Sequence, residues 1–304
     1  MILRKISCIT RRVIVNSTGA SPESFSGRGS PLLESESVYR IFSEWILAQK
    51  RRLRPAELYV VGVFGSVGQG KTFFSRAITS HLNALLKPEE GQAITRSLDD
   101  YYLPKAERYR PEFLALGYNP QGISNRGPAG THDTERLLHD LRMLEESGPS
   151  SNIELPAFEK QNDDRAPQPY HVQGKVGVLV LEGWFIGANT TVDLARTSPG
   201  LKRSVATALK KYKPIFDRVD ALWAFEPPAL EDIVAQRIEQ EETLRQKTGK
   251  AGMTPEQIRR FVDYFYKQSW QDGVTSPVPP REAAAFWATT DLHHSFLTIG
   301  PAWP

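Results

Sequence analysis

LYVVGVFGSVGQGKT, residues 58–72, is the stretch from which the rest of the chain can be read. Its second half, GSVGQGKT at 65–72, fits G-x-x-x-x-G-K-[ST], with Gly65, Gly70, Lys71 and Thr72 at the fixed positions. The first half is an apolar run with Val60, Val61 and Val63, as a strand requires, and the residues after Thr72 have the pattern of a helix. In that strand–loop–helix setting, the N–H groups of Gly65, Ser66, Val67, Gly68, Gln69, Gly70, Lys71 and Thr72 turn inward around an anion, and the helix offers its positive end to the same group. Lys71 is expected on the β- and γ-phosphates of a nucleotide and the Thr72 hydroxyl on Mg²⁺. The competing reading is a glycine-rich turn with an exposed lysine.

Working outward, the chain alternates between helix and strand signals. Val38, Ile41, Phe42, Trp45 and Ile46 recur at helical spacing, so 34–52 reads as an amphipathic helix leading into a strand at 58–64. A helix over about 70–85 follows the phosphate loop, then a strand near 92–98, a polar loop to about 130, a helix over 133–146 and a second long loop. VGVLVL at 176–181 is apolar throughout, as expected of a parallel strand covered on both faces. DALWAF at 220–225 is a further strand, followed by a charged helix over about 229–247. Thr254, Pro255 and Gln257 open another helix, with Thr as cap, Pro at the first position and Gln reaching back. Repeated β-α alternation predicts an α/β protein with a mainly parallel sheet between two helical layers.

In such sheets, ligands bind outside the carboxyl ends of the strands. Three strands end in chemistry: the phosphate loop, Asp99-Asp100 after the second strand, and Glu182 after VGVLVL. Two acids and a phosphate loop on one rim supply a Mg²⁺ site and a base, the requirements for moving a phosphoryl group onto a hydroxyl. Each acid alone has a plainer reading, as a turn former or a strand-end residue.

Bulk properties narrow the classes. The 304 residues are 40% apolar and 24% charged, enough for a full core. No run of eighteen apolar residues occurs, so no membrane span is expected. A net charge of +3 without a long basic run argues against a nucleic-acid partner and suits small anionic substrates. The lone cysteine, Cys8, excludes an internal disulfide and points to a reducing compartment such as the cytoplasm. Residues 1–33 carry Arg4, Lys5, Arg11 and Arg12 with no acid before Glu23, the composition of a mitochondrial or chloroplast transit peptide; an unstructured arm or a short extra strand, ITRRVIV at 9–15, is the competing reading. The oligomeric state leaves no mark in the sequence.

Beyond the loop, SLDDYYL (97–103), NRGPAGTHD (125–133), LPAFEK (155–160), DDRAP (163–167), VLEGWFIG (180–187) and QRIEQEETLRQKTGKAGMTPEQIRRFV (236–262) together resemble the D-glycerate 3-kinase family. That family is related to phosphoribulokinase, uridine kinase and pantothenate kinase. The resemblance implies a three-layer α/β/α P-loop NTPase fold with a helical lid, over a kinase domain of residues 34–272. It implies ATP-dependent transfer of the γ-phosphate, with Mg²⁺, to a hydroxyl of a small acidic acceptor, D-glycerate. Asp99 then matches the base toward the acceptor and Glu182 the acid that helps hold Mg²⁺. Arg126, His132 and Asp133 match one acceptor-side loop, Lys160 and Arg165 a second, and Arg237 with Arg245 the arginines of the lid.

The residues themselves agree in part. A carboxylate acceptor needs a cationic clamp, and an arginine fork fits one. Residues 121–133 offer Arg126 and His132 but no aromatic side chain for stacking a nucleoside base. His132-Asp133 can equally cap the following helix, and Arg237 with Glu241 is an ordinary i,i+4 pair. Val67 and Phe73 stand where the family loop usually has proline and a second threonine, and the tail, 273–304, no longer resembles the family. Other readings kept open are a kinase of another acceptor, such as a nucleoside or pantothenate, and a non-catalytic ATP-binding regulator. A GTPase is disfavoured by the lack of an N-K-x-D signature. His293-His294 in the tail lacks the companions a metal site would need.

Overall fold

The computed structural model describes residues 35–116, 125–191, 201–226, 229–249, 252–266, 284–291 and 294–300. The basic N-terminal segment, on which the transit or arm reading falls, lies outside these residues.

In chain order the elements are α1 (Ser35–Leu53), β1 (Tyr59–Phe64), α2 (Lys71–Leu85), β2 (Gln92–Ser97), α3 (Thr134–Glu145), β3 (Asn152–Leu155), β4 (Phe158–Glu159), β5 (Asp164–Arg165), β6 (Tyr170–Gln173), β7 (Val176–Gly183), α4 (Leu201–Leu209), β8 (Ala221–Phe225), α5 (Leu230–Thr248), α6 (Pro255–Tyr266), β9 (Ala284–Thr290) and β10 (Phe296–Gly300). Between β2 and α3 the described residues of the polar loop include the single-turn helices Leu98–Tyr101, Lys105–Arg108 and Pro111–Leu114. The second loop, read as irregular, instead holds two small antiparallel pairs, β3 with β6 and β4 with β5.

The main sheet has the order β10-β9-β8-β1-β7-β2. Its first five strands in the chain run parallel, and only β10 is antiparallel to its neighbour. From β1 the chain passes over β7 to reach β2 and later crosses to β8 on the other side. The order therefore reverses beside β1, and the crevice for a ligand opens at its carboxyl end. The expected three-layer α/β/α fold is the one found.

Alternation along the strands sends side chains into two cores. Tyr59, Val61, Val63, Val178, Val180, Trp223 and Phe225 pack under α1 and α2. Val60, Phe64, Leu179, Leu181, Leu222 and Ala224 pack on the opposite face. β1 and β7 are buried at every position, which explains their unbroken apolar runs.

Residues 284–290 and 296–300, within the segment that departs from the family pattern, are built into this sheet. Phe286 of β9 packs its ring 4.7 Å from Trp45 and 5.3 Å from Phe42, and Phe296 of β10 lies 5.9 Å from Trp223. The sheet thus draws on chain beyond residue 272. The expected helix start at Thr254 forms as read: Gln257 N donates to Thr254 Oγ1 (3.3 Å) and Thr254 N donates to Gln257 Oε1 (2.8 Å). No helix among the described residues is long and apolar enough to cross a membrane.

Candidate active site

The phosphate loop joins β1 to α2. Gly68 and Gly70 have φ of 87° and 77°, a left-handed backbone that lets the chain curl back on itself without a Cβ clash. Inside the curl, Gln69 is buried: its Oε1 accepts from Ser66 N and its Nε2 donates to Glu226 O at the end of β8. Sequence reasoning counted Gln69 only as a loop N–H; its side chain ties the loop to the neighbouring strand. Lys71 Nζ donates to Ser66 O at 2.8 Å. Burial pulls the Lys71 ammonium below its usual pKa, opposed by the nearby Glu182 and Asp99.

Thr72 Oγ1 donates to Glu182 Oε1 at 2.8 Å, joining the first turn of α2 to the end of β7. Glu182 is buried, and burial raises its pKa against the pull of Lys71. A hydroxyl and a carboxylate side by side, next to a phosphate loop, form the hard-oxygen donor set that Mg²⁺ takes alongside phosphate and water. Among the described residues no group of three or more His, Cys, Asp and Glu side chains could hold a metal by itself. The pair therefore fits a metal that arrives with phosphates.

The two aspartates after β2 part company. Asp100 Oδ2 accepts from Ser97 N (2.9 Å) and pairs with Arg96 (3.0 Å), while Asp99 N donates to Ser97 Oγ (3.2 Å). This reciprocal cap turns Asp100 into the local turn and leaves Asp99 at the rim. There Asp99 Oδ2 meets Lys160 Nζ at 2.7 Å, with Tyr102 close by. Burial would raise the Asp99 carboxyl, but Lys160 outweighs it and holds the pKa down at about 2. Tyr102 was not singled out from the sequence; its place directly after the acids in DDYY was the available signal.

Lys160 lies in the β4–β5 hairpin, whose turn is fastened by Asp163. Asp163 sits at φ 53° and pairs with Arg108 Nη1 (3.1 Å) and Arg126 Nη1 (2.6 Å). Arg108 is fully buried and also donates through Nε to Leu103 O (2.8 Å). Neither Arg108 nor Asp163 stood out in the sequence, because their partners lie tens of residues away. Arg126 further donates to Lys160 O at 3.2 Å.

Residues 101–103 run antiparallel to 131–133, with Leu103 N donating to Thr131 O and Asp133 N to Tyr101 O. The His132 ring therefore stacks on Tyr102 with centroids 4.3 Å apart, and its Nδ1 lies 2.8 Å from the Tyr212 hydroxyl. Its Nε2 is buried without a hydrogen-bond partner, and burial pushes the imidazole down to about 3. Asp133 caps α3, accepting from Arg136 N (3.0 Å) through Oδ1, and its other oxygen accepts from Arg165 Nη2 (2.8 Å). Arg165 Nε donates to Tyr102 O at 3.1 Å. Both readings of Asp133 meet here: it is the helix cap, and it stands beside the hairpin. An open cavity of about 850 Å³ adjoins His132 and Asp133, with Leu103, Phe113, Arg203 and Lys211 on its walls.

The lid helix α5 touches the loop directly, as Gln240 Nε2 donates to Gly68 O at 3.3 Å. Arg237, one turn earlier, shares that face; its Nη2 pairs with Glu241 at 2.7 Å, and its Nε is buried without a hydrogen bond. The i,i+4 pair is thus present, and Arg237 meets the loop only through Gln240, whose Oε1 accepts from Arg237 Nη1 at 3.4 Å. α5 and α6 hold each other through Ile233, Val234, Ile258 and Val262.

The cleft thus gathers a phosphate loop, a Thr72–Glu182 oxygen pair and a carboxylate at the next strand end, with Lys71, Lys160, Asp99 and Glu182 close enough to perturb one another. Known proteins carry related chains. No protein-family model matches this one. It is 29% identical over 234 residues, 70% of this chain and 78% of the other, to the probable ATP-dependent kinase TDA10 of Saccharomyces cerevisiae. It is 25% identical over 228 residues, 69% and 79% of the two chains, to the uncharacterized kinase mug58 of Schizosaccharomyces pombe. Among solved structures, D-glycerate 3-kinase from Cryptococcus neoformans superposes with a TM-score of 0.67 at 23% identity, over 86% of this chain and 98% of that one. The resemblance read from the motifs is thus found again, and the fold is that of the P-loop kinases.

Proposed function

We propose that this protein is an ATP-dependent kinase that transfers the γ-phosphate to a hydroxyl of a small acidic acceptor, D-glycerate above others. The observation that carries the proposal is the position of Asp99: a carboxylate at the end of the strand after the phosphate loop, in the charge cluster with Lys71 and Glu182, and flanked by acceptor-side cations. A non-catalytic regulator would need the loop but no such base. The names of the relatives, all three of them kinases, support the reaction class. The acceptor rests on the motif resemblance, on the cationic hairpin and on the fold shared with a D-glycerate 3-kinase.

In this reading the loop residues Gly65 to Thr72 bind the phosphates and Lys71 offsets charge between the β- and γ-groups. Thr72 and Glu182 would hold Mg²⁺, which would neutralise phosphate oxygens as charge builds on them. Asp99 accepts the proton of the acceptor hydroxyl. Arg126, Lys160 and Arg165 give the acceptor side its positive charge, His132 and Asp133 shape its wall, and Arg237 closes over the phosphates from the lid. The protein would act on small molecules, with neither nucleic acid nor membrane as partner.

A second acceptor deserves a place in the test. A pantothenate kinase of Limosilactobacillus reuteri is 28% identical over 149 residues, 48% of this chain. Pantothenate also joins a carboxylate to a hydroxyl. Purified protein with Mg-ATP and a panel of D-glycerate, pantothenate, nucleosides and sugar phosphates, scored by ADP release, decides among them. D-Glycerate is expected to turn over fastest; a tenfold advantage for pantothenate or a nucleoside would replace the acceptor and leave the kinase, and no acceptor-stimulated release would favour the regulator.

A further inference from the structure

The cations on the acceptor side are not equivalent. Arg165 is committed to Asp133 and to the carbonyl of Tyr102, and Arg126 to Asp163 and the carbonyl of Lys160. Lys160 alone among these three pairs with the base itself, at 2.7 Å. Its side chain is 66% exposed, whereas that of Asp99 is 24% exposed. The backbone beneath Lys160 is pinned, because Asp163 and the Lys160 carbonyl are both held by arginines. What can move is therefore the lysine side chain, a compact charge on a flexible four-carbon stem that exchanges partners without the planar geometry an arginine demands.

We propose that Lys160 is a positioning residue that holds Asp99 in a resting ion pair, and that the carboxylate of the acceptor draws Lys160 away and so makes the base available. This rests on the reading of an acidic acceptor. Charge supports it. With Lys160 in place, Asp99 is a carboxylate too acidic to compete for a hydroxyl proton. Once the ammonium is shared with the acceptor, burial is left to push Asp99 toward stronger basicity, while Lys71 would stay with the phosphates.

The acceptor hydroxyl then gives its proton to Asp99 as its oxygen bonds to the γ-phosphorus. The bond from that phosphorus to the β–γ bridging oxygen breaks, and ADP leaves with the electron pair. A neutral nucleophile, water included, finds the base still paired. The acceptor's charge thereby contributes to turnover as well as to affinity.

The test compares D-glycerate with glyceramide, its neutral amide, on wild type, Lys160→Met and Lys160→Gln, measuring kcat and KM for each and confirming the fold by thermal unfolding. In wild type, kcat for the acid should exceed that for the amide by tenfold or more. In the variants KM for the acid should rise, and kcat for the amide should rise severalfold, so that the two kcat values converge; ATP hydrolysis without acceptor should rise with it. If the variants raise KM for the acid and leave kcat for the amide unchanged, Lys160 only binds the carboxylate and the inference falls while the function stands. If they lower kcat for both acceptors alike, Lys160 only shapes the site and the inference again falls. Wild type that ignores D-glycerate and every other acid would remove the acidic-acceptor reading and this inference with it.

Discussion

On the nucleotide side of the cleft, eight consecutive residues make most of the site. GSVGQGKT curls on its own glycines, Gln69 staples it to β8, and one distant residue, Glu182, completes it. On the side proposed for the acceptor no two neighbours suffice. Asp99, Lys160, Arg126, Asp133 and Arg165 arrive from three separate stretches: Asp99 pairs with Lys160, Asp133 with Arg165, and Arg126 with Asp163, which Arg108 also holds across 55 residues of chain. The nucleotide side rests on backbone shape above an apolar core, the acceptor side on exchangeable ion pairs at a half-exposed rim. A backbone cradle suits a ligand that never changes, whereas side-chain pairs can be retuned for a new acceptor without disturbing the sheet.

The sharpest way to break this comparison is to damage the nucleotide side alone. Lys71→Ala should lower kcat/KM by on the order of 10³-fold, because a charge aimed at the transferring phosphate is lost from a buried site. ATP affinity should fall with it, and thermal stability should not. If ATP binding measured by calorimetry were untouched, the loop would not be holding the β- and γ-phosphates.

A smaller effect is expected from the hub of the acceptor side. Asp163→Asn keeps a side chain that tolerates the left-handed backbone but removes the charge between Arg108 and Arg126. Unfolding in urea should show a loss of about 2–3 kcal/mol, since the buried Arg108 loses its ionic partner. KM for the acceptor should rise and the Kd for ATP should stay put. An equal loss of ATP affinity would mean that the two sides are not separable.

An effect that leaves turnover aside is a pH dependence of stability. His132 is held at about 3 by burial, against about 6.5 in an unfolded chain, so between these values the unfolded state binds a proton that the folded state refuses. Its contribution is complete above pH 6.5 and is lost as pH falls, by up to ~1.4 kcal/mol per pH unit. Comparing wild type with His132→Asn between pH 6.5 and 4 isolates it, because Asp99 loses its own ion pair only below the ordinary carboxylate range. The variant should show the shallower slope; identical slopes would mean that His132 is solvated.

How much could be read beforehand follows the same division. The loop and its flanking elements were legible because their signals are local, as was the Thr254–Gln257 cap. The resemblance singled out Asp99 over Asp100, but not the physical reason: the Ser97 cap takes Asp100 into the local turn and leaves Asp99 at the rim. β3 to β6 escaped notice because strands of two to four residues carry no periodicity. The placement of β9 was hidden for a related reason: without the partner strand β8, AAFWATT does not announce that Phe286 completes an aromatic layer with Phe42 and Trp45. Arg108 and Asp163 needed the fold, since their pairing leaves no trace at either position.

Asp99→Asn tests the central claim most directly, because it preserves shape and removes only the proton acceptor. Calorimetric titration with ATP should give a Kd within error of wild type, while ADP release stimulated by D-glycerate should fall in kcat by roughly 10²- to 10⁴-fold. Near-normal acceptor-stimulated turnover in Asp99→Asn would contradict the account, for it would leave the cleft without the base on which the kinase reading rests.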